Sequence, residues 1–378
     1  YYTDGITLVD ATRPHNLIEV GFYDSSPNSG GGFSGAWGVY SYLPSGTVLV
    51  SDMNNGMHVV TPTYKRACYL EGTVKDASSN LLLANAKIEI TADTNANTFT
   101  KLNGSFATGR ADSGSYQVVV SLFGYFNDTI IAVLKEGVVT NLNVSLVAIN
   151  NFVMNEVITD SNSVPIANAD VYIYNKDLGN KYNLRSNANG EVSIPLFYSG
   201  EYEIIVGKFG YETKHIPSIV IQTPADLPIL KLKNKYYDDF YFNNNWKVTG
   251  DVDNGGWVRD VPIKTTSNNI LANPDFDAMG DIGDMAFVTE NAVGPATFGD
   301  VDNGAVILES PSMNLSTYTN PYVNYSRWFS NLASSGTPND TLKISISNGT
   351  TTKVMEKIWG TRDDKGTWVD KSYRILDY

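Results

Sequence analysis

The chain has 378 residues, and 27 Lys+Arg against 40 Asp+Glu give a formal net charge of −13. That acidity excludes a nucleic-acid surface and docking on anionic lipid, both of which need clustered positive charge. Charged residues make up only 18% of the chain, below the quarter typical of soluble domains, so the surface relies on Asn, Ser, Thr and Gly.

Positions 1–66 read as short strands: Ile6-Thr7-Leu8-Val9-Asp10, Gly35-Ala36-Trp37-Gly38-Val39-Tyr40 and Val48-Leu49-Val50-Ser51-Asp52. Three or four strands cannot bury a core alone. A repeat comes next. Gly114-Ser115-Tyr116-Gln117-Val118-Val119-Val120 returns as Gly200-Glu201-Tyr202-Glu203-Ile204-Ile205-Val206. Phe123-Gly124-Tyr125 and Asn103-Gly104 return at the same offset as Phe209-Gly210-Tyr211 and Asn189-Gly190. Leu83-Ala84-Asn85-Ala86 returns as Ile166-Ala167-Asn168-Ala169, an offset shorter by three, so one loop differs in length. Each unit is long enough for seven short strands, and the turn spacing is that of β-sandwiches or barrels. Beyond the basic junction Lys231–Lys235, Gly250-Asp251-Val252-Asp253-Asn254-Gly255 echoes as Gly299-Asp300-Val301-Asp302-Asn303-Gly304 within one further domain.

Cys68 is the only cysteine, so an intrachain disulfide and a thiolate zinc cluster are excluded. His15, His58 and His215 form no metal-binding helix motif. The longest aliphatic runs, such as Ile130–Leu134, are too short to span a bilayer. The chain opens on Tyr1-Tyr2 and stops at Asp377-Tyr378 in strand-like sequence. It therefore reads as a segment of a longer protein.

The repeats at 72–146 and 155–232 resemble the carboxypeptidase regulatory-like domain, a prealbumin-like sandwich. The carriers are Gly72-Thr73-Val74, Ala84-Asn85-Ala86, the Asn-Gly turn, Gly-x-Tyr and Phe-Gly-Tyr. The second copy departs at its start, where Asn155-Glu156-Val157 replaces the usual glycine. Residues 1–66 resemble the C-terminal end of LVIVD-repeat, "choice-of-anchor B" propellers, carried by Ile6–Asp10, Gly35–Tyr40, Leu43-Pro44-Ser45-Gly46 and Ser51-Asp52. Residues 236–378 resemble MAM-like or cleaved-adhesin jelly rolls of secreted Bacteroidetes proteins, carried by Gly256-Trp257, Ala286-Phe287-Val288-Thr289, the second Gly-Asp-Val-Asp-Asn-Gly loop and Ser310-Pro311. The expected architecture is all-β. It runs from the end of a β-propeller (1–66) through two tandem prealbumin-like seven-stranded β-sandwiches (67–148 and 149–233) to a β-jelly roll truncated at its C-terminus (234–378).

The best chemical candidates are the two Gly-Asp-Val-Asp-Asn-Gly loops. Asp251, Asp253 and Asn254, or Asp300, Asp302 and Asn303, offer the oxygen donors that Ca²⁺ collects in sets of six to eight. Asp281, Asp284 and Glu290 could add more, and Asp238 with Asp239 is an alternative. The competing reading of either loop is a solvated hairpin. The expected Ca²⁺ is structural. Neighbouring carboxylates such as Asp251/Asp253 or Asp363/Asp364 lack the apolar pocket that raises a glycosidase acid. Gly32-Phe33-Ser34-Gly35 lacks nucleophile-elbow spacing. Trp257 and Trp328, out of Trp246, Trp257, Trp328 and Trp359, are the candidates for stacking on a sugar. Asp128-Thr129-Ile130 and Asp340-Thr341-Leu342 match the short O-glycosylation pattern associated with Bacteroidetes, placing glycans on Thr129 and Thr341.

The resemblances imply a non-catalytic extracellular segment on the surface of a Gram-negative Bacteroidetes cell, exported by the type IX machinery. The sandwiches would be spacers and the jelly roll a head for a surface glycan or protein partner. The alternatives are accessory domains of a secreted peptidase whose catalytic part lies elsewhere, and a structural subunit of a surface assembly.

Overall fold

The computed structural model describes residues 2–26, 33–91, 96–251, 255–267, 270–295, 301, 303–331, 340–359 and 367–378. Among them the regular structure is β-strand with two single-turn 3-10 helices and no α-helix, as the alternating sequence predicts. The chain divides into two units, Tyr1–Asn151 and Phe152–Tyr378.

The first unit opens with an antiparallel pair, β1 (Ile6–Asp10) and β2 (Ile18–Tyr23), and a three-stranded sheet, β3 (Ala36–Tyr40), β4 (Val48–Asp52) and β5 (Gly56–Val60). Their own core is small: Ala36, Val48 and Val50 with Ile6 and Val60 against them. The shortfall is made up by the adjoining sandwich. Val20, Leu8 and Ile18 pack on Ala67, Tyr69 and Val139. The Arg13 guanidinium donates twice to the Glu71 carboxylate, at 2.7 and 2.8 Å. The Ala67 amide donates to Asp10 Oδ2 at 2.8 Å.

That sandwich comprises β6 (Cys68–Asp76), β7 (Lys87–Ile90), β8 (Asn97–Phe99), β9 (Ser105–Arg110), β10 (Gly114–Ser121), β11 (Asp128–Leu134) and β12 (Val139–Leu146). One sheet runs β11-β10-β7-β8 and the other β12-β6-β9. Among its described pairings, only β6 with β12 is parallel. Alternate residues turn inward, so Leu70, Val74, Ile88, Ile90, Val118 and Val120 meet in one closed core.

The second unit repeats this plan with β13 (Asn151–Val157), β14 (Thr159–Asp160), β15 (Asp170–Asn175), β16 (Lys181–Arg185), β17 (Glu191–Tyr198), β18 (Gly200–Gly207), β19 (Lys214–Ile221) and β20 (Lys231–Leu232). The four-stranded sheet is β16-β15-β18-β19, the same order as in the first sandwich. The facing layer is thinner. Its first strand breaks into β13, paired with β17, and β14, paired in parallel with the short β20. Pro224 and Pro228 explain the short last strand, because a proline has no N–H to give a ladder. Phe197 and Tyr202 stack at 4.4 Å in the centre of its core.

Downstream, the described residues form five antiparallel pairs: β21 (Lys247–Asp251) with β26 (Ala305–Glu309), β22 (Trp257–Asp260) with β25 (Ala286–Thr289), β23 (Thr265–Ser267) with β24 (Ile270–Asn273), β27 (Tyr322–Arg327) with β30 (Val369–Arg374), and β28 (Thr341–Ser347) with β29 (Thr352–Trp359). Across the last two pairs, Arg327 donates to the Glu356 carboxylate at 2.8 Å and Tyr325 Oη at 2.6 Å. Burial pushes Glu356 up, but Arg327, Tyr325 and Lys371 outweigh it and bring the carboxyl down to about 2.

Candidate functional site

Residues 236–246 form a strap that leaves the second sandwich. Asp238 and Asp239 each turn back on the strap: Phe240 N donates to Asp238 Oδ1 and Tyr241 N to Asp239 Oδ1, both at 3.0 Å. Phe240 sits at φ 58°, a left-handed conformation that costs a bulky residue energy. The strap is held from both sides. Tyr241 lies edge-on to Tyr172 of β15 at 6.0 Å. Arg259 of β22 donates to the Phe240 carbonyl at 2.6 Å. A Cβ on Gly207 would meet Phe242 at 2.7 Å, and one on Gly283 would meet Tyr241 at 2.8 Å, so both glycines make room for strap rings.

Asp239 is only 2% exposed. Its Oδ2, and Oδ2 of Asp277, are buried with no hydrogen-bond partner among the described residues. Burial raises the Asp239 carboxyl against the pull of the Tyr241 amide and the nearby Thr213 hydroxyl. Burial and the charges of Asp284 and Asp239 push Asp277 up to about 6. Burial with Asp277, Asp239 and Asp284 does the same for Asp281. Tyr237 beside them is pushed up to about 12 by burial, then by Asp239 and Asp281. Negative groups thus face one another across the strap and the 277–284 turn. No three carboxylate, imidazole or thiol groups among the described residues converge as a metal cage.

The loops expected to bind Ca²⁺ fall largely outside the described residues: Asp253, Asn254, Asp300 and Asp302, and the side chain of Asp251. Asp251 pairs with Ala305 in the β21–β26 ladder, which joins the strand entering the first loop to the strand leaving the second. Asn303 takes φ 58°. Glu290 accepts the Gly255 amide at 3.1 Å. Asp363 and Asp364 also lie outside the described residues. Trp257 is half-buried in β22. Trp328 donates from Nε1 to the Ala272 carbonyl at 2.6 Å and packs edge-on against Phe276 and Trp368. Trp246 donates to Asp238, while Trp359 is 64% exposed with the Lys357 ammonium over its ring. Thr129 and Thr341 are exposed at the first turns of β11 and β28. Cys68 is buried, and burial raises its thiol. The histidines stay apart: His58 meets Tyr23 Oη at 3.0 Å, His15 lies by Arg13 at 3.2 Å, and His215 by Glu203 at 2.8 Å.

The sequence profile of the carboxypeptidase regulatory-like domain matches residues 69–147 and 157–230. The chain carries two carboxypeptidase regulatory-like domains. No curated protein matches the chain. Among solved structures it is similar to a streptococcal ancillary pilin, at 12% identity, covering 51% of this chain and 76% of that one, with a TM-score of 0.37. It is similar to the Bacillus anthracis TIE protein at 15% identity, covering 55% and 46%, with a TM-score of 0.23, so it spans less than half of that chain. It is also similar to GBS52, a minor pilin of Streptococcus agalactiae, at 9% identity, covering 46% and 98%, with a TM-score of 0.33. Similarities this distant carry no functional argument.

Inside the two regulatory-like domains, one departure has a physical reason. A Cβ on Gly72 would sit 1.7 Å from the Leu142 carbonyl oxygen of β12. In the second domain Asp160 stands where Asp76 stands in the first; each carboxylate accepts two amides of its adjoining turn. Glu156 therefore takes the place of Gly72. Its neighbouring strand β20 reaches only Thr159 and Asp160, so the position has room for a side chain. Burial raises the Glu156 carboxyl.

Proposed function

We infer that this chain is a non-catalytic segment of an extracellular surface protein. In this reading the two regulatory-like domains are spacers and residues 234–378 form a jelly-roll head for a surface glycan or protein partner. The observation that carries it is the pair of tandem sandwiches, each closed around its own buried cluster. Two self-sufficient cores in series suit a stalk. The polar, weakly charged surface supports the same reading, because it resists aggregation outside the cell. Residues 1–66 would be the end of a propeller, the cell a Gram-negative Bacteroidetes, and the export route type IX. Structural Ca²⁺ on the Asp251/Asp253 and Asp300/Asp302 loops, sugar stacking on Trp257 and Trp328, and O-glycans on Thr129 and Thr341 belong to this proposal.

The test combines surface labelling and mass spectrometry in the native source. A membrane-impermeant amine reagent applied to intact cells should label this chain, and peptides of the whole gene product should hold no hydrolase sequence. Labelling only after lysis overturns the surface assignment. A peptidase domain in the same product makes these domains accessory. Stoichiometric copurification with other surface subunits favours the assembly reading instead.

A further inference from the structure

We propose that the groove between β13, β16 and β17 of the second sandwich binds a small organic cation, a primary ammonium on an aliphatic stem, with Glu156 as its charged partner and Leu184 and Val192 as its apolar wall. The site is separate from residues 234–378 and does not depend on the surface reading.

The two regulatory-like domains differ at one pair of facing positions. In the first, Gly72 of β6 stands opposite Phe106 of β9. The Phe106 ring reaches to 3.1 Å from the place of a Cβ on Gly72 and is part of the buried core. The second domain reverses the sizes. Val192 follows the Asn189-Gly190 turn as Phe106 follows Asn103-Gly104, and Glu156 replaces Gly72. An aliphatic side chain thus stands where the ring stood. Here a groove of about 540 Å³ opens, and Glu156, Val157, Leu184, Arg185, Val192 and Ser193 are among the residues that line it. That volume falls within the roughly 300–1,000 Å³ of small-molecule sites.

The wall sets the chemistry of the ligand. Val192 belongs to the core of the domain and Leu184 packs against it, so both offer aliphatic surface. Most polar groups of the groove are engaged with one another. Arg185 gives Nε and Nη2 to the Asp170 carboxylate at 2.9 and 3.0 Å. Ser193 Oγ donates to Asn155 Oδ1 at 2.7 Å, and Asn187 Nδ2 to one oxygen of Glu191 at 2.7 Å. Glu156 is the exception. It is half-buried, and among the described residues the Val157 amide alone works against that burial. A carboxylate so placed gains most from a cation, and a charge-assisted hydrogen bond is stronger than a neutral one. Glu156 and Glu191 disfavour an anion, while Arg185, the positive charge of the lining, is already neutralised by Asp170. An alkylammonium meets both halves of the wall. Its N–H groups satisfy Glu156, and a stem of a few methylenes covers Leu184 and Val192.

The test uses the full chain and saturation-transfer NMR, which reads weak binding, with n-pentylammonium as the probe. Pentanol has the same stem without the charge, and pentanoate reverses the charge. The parent should transfer saturation to the pentylammonium methylenes at least several-fold more strongly than to either control. Glu156→Gln, which keeps the shape and removes the charge, should lower that transfer several-fold. Val192→Phe, which restores the ring of the first domain, should lower it as well. Where Val192→Phe melts well below the parent, Glu156→Gln alone decides. Glu89→Gln removes a carboxylate from the first sandwich and should change nothing. Transfer that survives Glu156→Gln overturns the proposal, as does equal transfer to pentanol. An equal loss in Glu89→Gln also overturns it, because the probe would then be following the net charge of the chain.

Discussion

Thr100 and Ser186 are the same staple in two successive sandwiches. Thr100 Oγ1 donates to the Leu83 carbonyl at 2.6 Å and accepts the Ala86 amide at 2.9 Å. Ser186 Oγ donates to the Ile166 carbonyl at 2.6 Å and accepts the Ala169 amide at 2.8 Å. Each hydroxyl closes an Ala-Asn-Ala turn whose asparagine, Asn85 or Asn168, lies in the left-handed region at φ 59° or 55°. Thr100→Val keeps the shape and leaves an amide and a carbonyl buried without partners. It should cost about 1–3 kcal/mol in denaturant melts, and Thr100→Ser much less. Ser186→Ala should cost about as much in the second sandwich. The two losses should add, because distant sites are independent. A double variant much less stable than the sum would mean that the sandwiches share their turns' strain.

Gly72 offers a sharper contrast. With the Leu142 oxygen 1.7 Å from the place of its Cβ, Gly72→Ala must push β12 away from β6. Overpacking of this kind costs about 1–3 kcal/mol or more. At Glu156, which occupies the same place beside no such strand, Glu156→Ala should be nearly neutral or mildly stabilising, since a carboxyl raised by burial is removed. Thermal unfolding of both variants checks the pair. Equal destabilisation would mean that β13 has a neighbour like β12 after all.

Asp10 tests how the N-terminal strands β1–β5 are attached. Its carboxyl is held well below the usual range by the Thr12 hydroxyl first, with the Ala67 and Thr12 amides adding to this against the opposing effect of burial. Asp10→Ala frees the Ala67 amide and loosens Arg66. Trypsin should then cut after Lys65 and Arg66 at least several-fold faster, with the sandwich core intact. Unchanged cleavage would place the attachment in Arg13–Glu71 and the Val20–Tyr69 contact alone.

These residues also mark where sequence reading succeeds and where it stops. The repeat announces two sandwiches of like build, because alternation and turn residues are local signals. The three-residue difference in offset falls in the β15–β16 hairpin. The stapled pair Ala169 and Ser186 stands 17 apart in sequence, against 14 for Ala86 and Thr100. The missing glycine at 156 is visible in the sequence. Its cause, a last strand cut short around Pro224 and Pro228, depends on the distant pairing of Thr159 with Lys231. The acidic cluster is half visible. Asp239 and Asp281 stand out in the sequence, but nothing local says that they approach one another or that Asp277 joins them. Arg327 and Glu356 escape sequence reading altogether, since their meeting is set by which strands fold together.

Their pairing makes the acid side of the stability profile predictable. Glu356 sits at about 2 in the fold against 4.5 when free. It therefore contributes stability that is complete above about pH 4.5 and is lost as pH falls toward 2. Arg327→Ala leaves that buried carboxylate with only the Tyr325 hydroxyl and the Lys371 ammonium, at a cost toward the lower end of the roughly 3–5 kcal/mol of a broken buried pair near neutrality. The cost should shrink in acid as Glu356 takes up a proton. A constant cost from pH 7 to pH 3 would show that the loss is one of packing and not of charge.

Asp277 and Asp281 act in the opposite sense. Both sit at about 6 in the fold against 3.8 when free. Between those values the folded chain holds protons that the unfolded chain has released, so stability falls as pH rises from about 4 to about 6. The groups facing them are Asp239, Asp284 and Tyr237, and none of these supplies a compensating positive charge. The second unit should therefore melt highest near pH 4.5, where Glu356 is already ionised and the two aspartates are still largely protonated. Asp277→Asn should flatten the decline above that point. A decline from pH 4.5 to pH 6.5 that is as steep in Asp277→Asn as in the parent would assign it to other carboxylates.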